Sequence, residues 1–127
     1  MLNMVRDILL YLWQLPQTLV GLVLLMFYKP YDAFTYPSGA TVYHSEKMAG
    51  GISLGEIIIV SKRSSATTIC HELGHSMQSR MLGPLYLIII GLPSLLWAAT
   101  RRRLFPRKNY YSFYTERWAD KLMDIER

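Results

Sequence analysis

The 127-residue chain alternates between long apolar runs and short polar or mixed segments. Ile8 to Tyr28 and Met81 to Thr100 carry no charged residue over 21 and 20 positions. The first is long enough for a helix crossing a hydrocarbon core of about 30 Å. Gln14, Pro16 and Gln17 interrupt it, so the pattern predicts an N-terminal membrane helix or anchor over 1–28, either a kinked span or a helix lying in the interface. It does not read as a cleavable signal, because Asp7 precedes it and no small-x-small site follows Tyr28.

From Lys29 to Val60 the texture becomes β-like. Tyr36-Pro37-Ser38-Gly39 reads as a turn, Thr41 to Ser45 as a strand, Ala49-Gly50-Gly51 as a loop and Ile52 to Val60 as a second strand, together a small β-hairpin or meander. Ser64 or Ser65 can cap a helix that begins near Ala66 and runs through Arg80. Gly83-Pro84 and Gly91-Leu92-Pro93 divide the second apolar stretch into pieces that each reach only about 13 Å as helix. A helical hairpin or re-entrant segment over 81–100 is expected, followed by a helix from Tyr110 to Glu126. The fold class is therefore α+β, mainly helical, with residues 29–127 forming one domain around the hydrophobic insertion.

Composition narrows the class. Outside the two uncharged stretches few residues remain for a self-sufficient water-soluble core. Abundant aromatic and branched apolar residues argue against disorder, and the single cysteine, Cys70, excludes an intramolecular disulfide framework. Residues 1–60 hold three basic and four acidic side chains; residues 61–127 hold eleven and five. The densest basic run, Arg101, Arg102, Arg103, Arg107 and Lys108, directly follows the second apolar stretch. Such a run beside an apolar segment fits anionic lipid headgroups better than nucleic acid, so lipids are the expected partner of this patch and nucleic acid is not.

The helix from Ala66 carries His71-Glu72-Leu73-Gly74-His75, an H-E-x-x-H motif. Histidines four apart stand on one helix face and can share a Zn²⁺, with Glu72 beside them as a base. Ile69, Leu73 and Met77 form an apolar stripe on the opposite face. A catalytic zinc needs a third protein ligand, and Glu116-Arg117-Trp118-Ala119-Asp120 places a glutamate and an aspartate one turn apart. Glu116 can bind the metal while Asp120 accepts a hydrogen bond from the outer nitrogen of a ligating histidine. Ala119 is small enough to let the two helices approach closely. Tyr110, Tyr111, Tyr114 and His44 are the candidate donors to an oxyanion, with packing as the competing role for the tyrosines and a plain surface or turn position for His44.

His71-Glu72-x-x-His75 followed by Glu116-x-x-Ala119-Asp120, with hydrophobic segments around the active-site helix, resembles the gluzincin metallopeptidases, in particular the HtpX and CAAX-prenyl-protease-like membrane enzymes. The resemblance implies a zincin-like catalytic unit, one zinc ion held by His71, His75 and Glu116, Glu72 as general base, and Asp120 behind the ligands. It also implies that the strand around Ile52, Ser53, Leu54 and Gly55 aligns the substrate backbone. The chain is much shorter than those enzymes and lacks their usual histidine or arginine oxyanion helper.

Three functions follow as expectations. The first is a membrane-associated zinc metalloendopeptidase acting on peptides or membrane-proximal protein segments; the second is a non-catalytic zinc-stabilised membrane module; the third is a basic lipid- or nucleic-acid-binding protein. The shared metal requires His75 and Glu116 on one side of the bilayer, so 81–100 must not be a full span. The basic run places that side in the cytoplasm, where an unpaired Cys70 is at home.

Overall fold

The computed structural model describes residues 2–127, so Met1, the first residue of the N-terminal segment, lies outside them. The fold is α+β: five α-helices and a four-stranded sheet among the described residues. The Ile8 to Tyr28 stretch is not one helix. It forms α1 (Leu2–Trp13) and α2 (Leu15–Tyr28), bent by 99° at Gln14. Pro16 sits in the first turn of α2, where its missing N–H costs no helical bond. No single described helix is long and apolar enough to cross a membrane; α1 and α2 qualify only as a bent pair.

The sheet runs β1-β2-β4-β3, with β1 at Asp32–Thr35, β2 at Thr41–Ser45, β3 at Gly51–Leu54 and β4 at Ile57–Ser61. The expected second strand, Ile52 to Val60, is itself a hairpin: the chain reverses at Gly55, whose φ of +71° favours glycine. Gly55 thus belongs to the turn and not to the edge strand. β4 inserts between β2 and β3, antiparallel to β3 and parallel to β2. Its Ile57-Ile58-Ile59-Val60 run is buried throughout, as expected for a central strand covered on both faces. On one face Ile58 and Val60 join Ala40 and Val42 beneath Ile69 and Leu73 of α3 (Ala66–Leu82). On the other, α2 lies so close that a Cβ at Gly21 would stand 3.0 Å from Ile57 Cδ1. The N-terminal apolar segment is thereby packed on the sheet, not detached from it.

Ser65 caps α3 by accepting a hydrogen bond from the Thr68 backbone N–H. The helix ends at Gly83, where φ is +56° and a Cβ would meet the Trp13 ring at 2.3 Å. The expected break at Gly91-Leu92-Pro93 does not interrupt the helical path. A short 3₁₀ turn (Gly83–Leu85) and a π-helical turn (Leu87–Gly91) lead directly into α4 (Leu92–Leu104). Pro93 stands in the first turn of α4 and has no N–H for the Ile89 carbonyl, four residues back. The Tyr114 hydroxyl donates to that carbonyl at 2.8 Å. The chain then returns through residues 105–113 to α5 (Tyr114–Leu122), with the Trp97 indole N–H donating to the Tyr110 carbonyl at 2.8 Å.

Candidate metal centre

α3 and α5 approach each other closely at Gly74 and Ala119. A Cβ on Gly74 would fall 2.3 Å from the Ala119 carbonyl oxygen, so the glycine inside the H-E-x-x-H motif is what admits α5. Through that contact α5 presents Glu116 and Asp120 to the two histidines. His71, Glu72, His75, Glu116 and Asp120 are all buried. His71, Glu72 and His75 can offer ligand atoms within 4.8 Å of one another.

The outer nitrogen of each imidazole is already engaged. His71 Nδ1 lies 2.7 Å from Asp120 Oδ1, and His75 Nδ1 lies 2.7 Å from Gln78 Oε1. Gln78 donates its own N–H to the Thr115 carbonyl at 2.9 Å, which fixes which amide atom faces His75. Asp120 is held in turn by Arg127 at 2.9 and 3.0 Å, and the guanidinium lies over the Tyr111 ring. Tyr111 packs edge-on against His71, with ring centres 5.1 Å apart. With both Nδ1 atoms engaged outward, both Nε2 atoms point inward.

They converge on one oxygen. Glu116 Oε1 lies 3.2 Å from His71 Nε2 and 3.1 Å from His75 Nε2. The other carboxylate oxygen accepts from Ser94 at 2.7 Å and from Thr115 at 2.6 Å, leaving Oε1 to face the two histidines. For tetrahedral zinc with bonds of about 2.0–2.1 Å, neighbouring ligand atoms stand about 3.3 Å apart, close to the spacing observed. All four ring nitrogens face acceptor oxygens, whereas two neutral imidazoles carry only two N–H protons. A cation among the Nε2 atoms and Glu116 Oε1 removes the shortfall. The residues present therefore fit a divalent metal with N₂O ligation and outward-held histidines.

The electrostatics show a cluster that draws positive charge. Burial alone would lower His75, but its hydrogen bond to Glu116 and the charges of Glu72 and Glu116 raise it to about 9. Burial alone would raise Glu116, yet the hydrogen bonds from His71 and His75 hold its carboxyl well below the usual range. Glu72 is pushed up, chiefly by burial and against the pull of the two histidines. Its Oε2 is buried and has no hydrogen-bond partner among the described residues. Asp120 is likewise shielded by burial, but Arg127 and His71 more than compensate and lower it.

A cleft of about 560 Å³ opens over these groups, lined at its polar end by Gly51, Ser53, Glu72, His75, Tyr110 and Glu116. Strand β3 forms one lip and is an edge of the sheet. Its Gly51 faces Glu72 so closely that a Cβ would lie 3.1 Å from Glu72 Cγ. The Ser53 carbonyl accepts from the Tyr86 hydroxyl at 3.1 Å. Ile52, Ser53 and Leu54 thus lie along the cleft as expected, and Gly55 turns away beneath α2, beside Gln14, Gln17 and Thr18.

The four candidate oxyanion donors separate. Tyr110 lines the cleft, and its phenol is raised first by burial and then by the charge of Glu116, so it is held as a donor. Tyr111 lies behind His71 and supports it. Tyr114 is half exposed and serves the carbonyl left by Pro93. His44 is on β2, separated from the cleft strand by β4, and does not line the cleft. Gln78, Ser94, Thr115 and Arg127 escape sequence reasoning: a glutamine three residues beyond His75 has no special signature, and the others act across the fold. Comparison with protein-family models, curated proteins and solved structures finds no match to this chain.

Proposed function

We propose that this protein is a zinc metalloendopeptidase of gluzincin type, seated on a membrane, with the metal held by His71, His75 and Glu116. The observation that carries the proposal is the convergence of the two imidazole Nε2 atoms on Glu116 Oε1 beside a buried, unpaired Glu72 oxygen. A site serving structure alone has no use for a desolvated carboxylate without a partner, which is costly to bury; a site needing a base does.

Zinc bound there supplies a Lewis acid that acidifies water and polarises a peptide carbonyl. Asp120 and Gln78 hold the two imidazoles in the tautomer that presents Nε2. Ser94 and Thr115 hold Glu116 so that only Oε1 faces inward. Glu72 takes a proton from the attacking water and later delivers it to the leaving amine. The Tyr110 phenol, kept protonated, donates to the oxygen on which negative charge develops. In the open edge of β3 the ladder alternation leaves Gly51 and the Ser53 N–H facing the cleft, positions that pair an extended peptide.

Membrane seating is supported by the outer surfaces of α1, α2 and α4, where many leucine, valine, methionine and phenylalanine side chains are exposed. At 14 residues α2 reaches about 21 Å, short of a full bilayer core, so insertion into one leaflet is the arrangement proposed. The basic residues Arg101, Arg102 and Arg103 at the end of α4 suit the headgroups of a cytoplasmic leaflet.

The test compares zinc-loaded wild type and Glu72→Gln on a library of unstructured peptides rich in apolar residues. Cleavage by wild type and a fall of about 10² to 10⁴-fold in the variant, with zinc retained, is expected for loss of a general base. Zinc binding without cleavage of any peptide would instead make the metal a structural element.

A further inference from the structure

The cleft is polar only at the metal end. Besides β3 and the Tyr86-Leu87 turn, its walls come from two helices that flank the site, α2 with Val20 and Leu24 and α4 with Leu92, Leu95 and Ala98. Three of these residues do two things at once: Val20, Leu92 and Leu95 line the cleft and are also 40%, 54% and 63% exposed. They therefore form its rim. The outward neighbours on both helices, Met26 and Phe27 on α2 and Ile88 and Leu96 beside or on α4, are exposed and apolar as well. The opening of the candidate site and the apolar surface of the molecule are thus one continuous face. At the far end of α4, Arg101, Arg102 and Arg103 mark where this face meets charge.

From this continuity we infer that the cleft opens sideways into lipid between α2 and α4, and that its substrate is an apolar peptide segment arriving from the bilayer. The inference rests on the peptidase reading for the identity of the substrate, while the direction of the opening rests on the rim alone. A water-facing cleft bordered by Val20, Leu92 and Leu95 would expose apolar rim for no gain, since each buried methylene is worth about 0.8 kcal/mol when withdrawn from water. Facing lipid, the same rim costs nothing and selects segments already dissolved there. Such a segment must surrender its own helical hydrogen bonds to reach Glu72. The unpaired edge of β3 replaces them within the cleft, beginning at Gly51 beside Glu72.

The test places a cysteine at Val20 or at Leu95 in a Cys70→Ser background. Each carries an NBD label in protein reconstituted into vesicles of phosphatidylcholine and phosphatidylglycerol. Labels at both rim positions should emit blue-shifted light, be quenched by nitroxide-bearing lipid and be protected from iodide; a label at Lys62→Cys should behave in the opposite way. Iodide quenching at positions 20 and 95 equal to that at 62, without quenching by the lipid, overturns the sideways opening even if zinc and peptide cleavage are both present. In a second measurement, hydroxamates of increasing alkyl length are titrated into zinc-loaded protein in mild detergent. Affinity should rise about two- to fourfold per methylene, and Leu95→Arg should flatten that rise at unchanged zinc content. Equal slopes in both proteins would remove the rim from substrate selection. Failure of even acetohydroxamate to bind, with lipid-quenched rim labels, would count against the metal reading and not against the opening.

Discussion

Two buried polar clusters hang from the same helix, α3, and they are built on opposite principles. Near its C-terminal end, Glu56 is paired with Arg80 and Gln14 donates to Glu56 at 3.3 Å. Gln17 donates to Ser79 at 2.7 Å and to the Gly83 carbonyl at 2.8 Å. One carboxylate meets one guanidinium, and the buried atoms left without partners are neutral amide oxygens of Gln14 and Gln17. Two turns earlier, Glu72, Glu116 and Asp120 lie together, and the one guanidinium there, Arg127, pairs with Asp120 alone. That cluster holds three carboxyl groups against one guanidinium, and its unpartnered atom is a carboxylate oxygen. Burying surplus charge is far more costly than burying an unpaired amide oxygen. The first cluster is complete as a protein and joins α1 and α2 to the rest; the second is a group that could hold a metal ion.

That contrast can be broken from either side. The largest effect is expected at the first cluster. Arg80→Met strands the buried Glu56 and should cost about 3 kcal/mol, the low end for breaking a buried pair because Arg80 is partly exposed. Thermal unfolding should show the loss, whereas zinc content should not change. The double variant Glu56→Leu with Arg80→Met should recover much of the stability, an outcome with no counterpart at the second cluster.

Gly74→Ala comes next. The added Cβ cannot coexist with the Ala119 carbonyl at 2.3 Å, so α5 must retreat. A stability loss of about 1–3 kcal/mol is expected from overpacking, together with weaker zinc binding, because Glu116 moves with Ala119. Zinc affinity unchanged in a folded Gly74→Ala protein would show that the third ligand is not on α5.

A smaller change is expected from Gln78→Leu. It leaves α3 intact but removes the group holding His75 Nδ1. Zinc affinity should fall about 10- to 100-fold, the usual loss for a partner behind a ligating histidine, as measured by competition with a chromogenic chelator. The metal-free variant should also unfold at a somewhat lower temperature than metal-free wild type, because the buried Thr115 carbonyl and His75 Nδ1 both lose their partner.

Acidification should produce the most gradual change. Asp120 is depressed below its unfolded value by Arg127 and His71 despite its burial. Its contribution is present above the ordinary aspartate range and is lost as pH falls through the folded value. Chemical denaturation of wild type should therefore show a stability decline in that acid range that is reduced in Asp120→Asn.

The metal cluster is legible in the sequence where its logic is local. Histidines four apart and an acid pair four apart declare shared helix faces, and these are the faces α3 and α5 turn toward each other. What required the fold is everything that crosses it: Gln78 reaching Thr115, Ser94 reaching Glu116, and Arg127 reaching Asp120. The sheet is legible only in outline, because β4 pairs with β2 in parallel across an intervening strand and no turn sequence records that choice. Ile52 to Val60 reads as one strand because its apolar residues continue through a turn that a single glycine makes possible. The break at Gly91-Leu92-Pro93 misleads for a related reason. Proline in the first turn of a helix removes little, and here Tyr114, far along the chain, replaces the hydrogen bond it removes. Gln14 and Gln17 read as interruptions of a membrane helix, yet both are fully buried against protein.

The most direct measurement is metal content of protein purified without added chelator, made on wild type, Glu72→Gln, Glu116→Ala and Arg80→Met. About one zinc per chain in wild type, Glu72→Gln and Arg80→Met, with little in Glu116→Ala, is the expected pattern for one site of two histidines and a glutamate. A wild-type chain that takes up no divalent metal, or Glu116→Ala protein that holds it as tightly as wild type, would contradict the metal centre at its foundation.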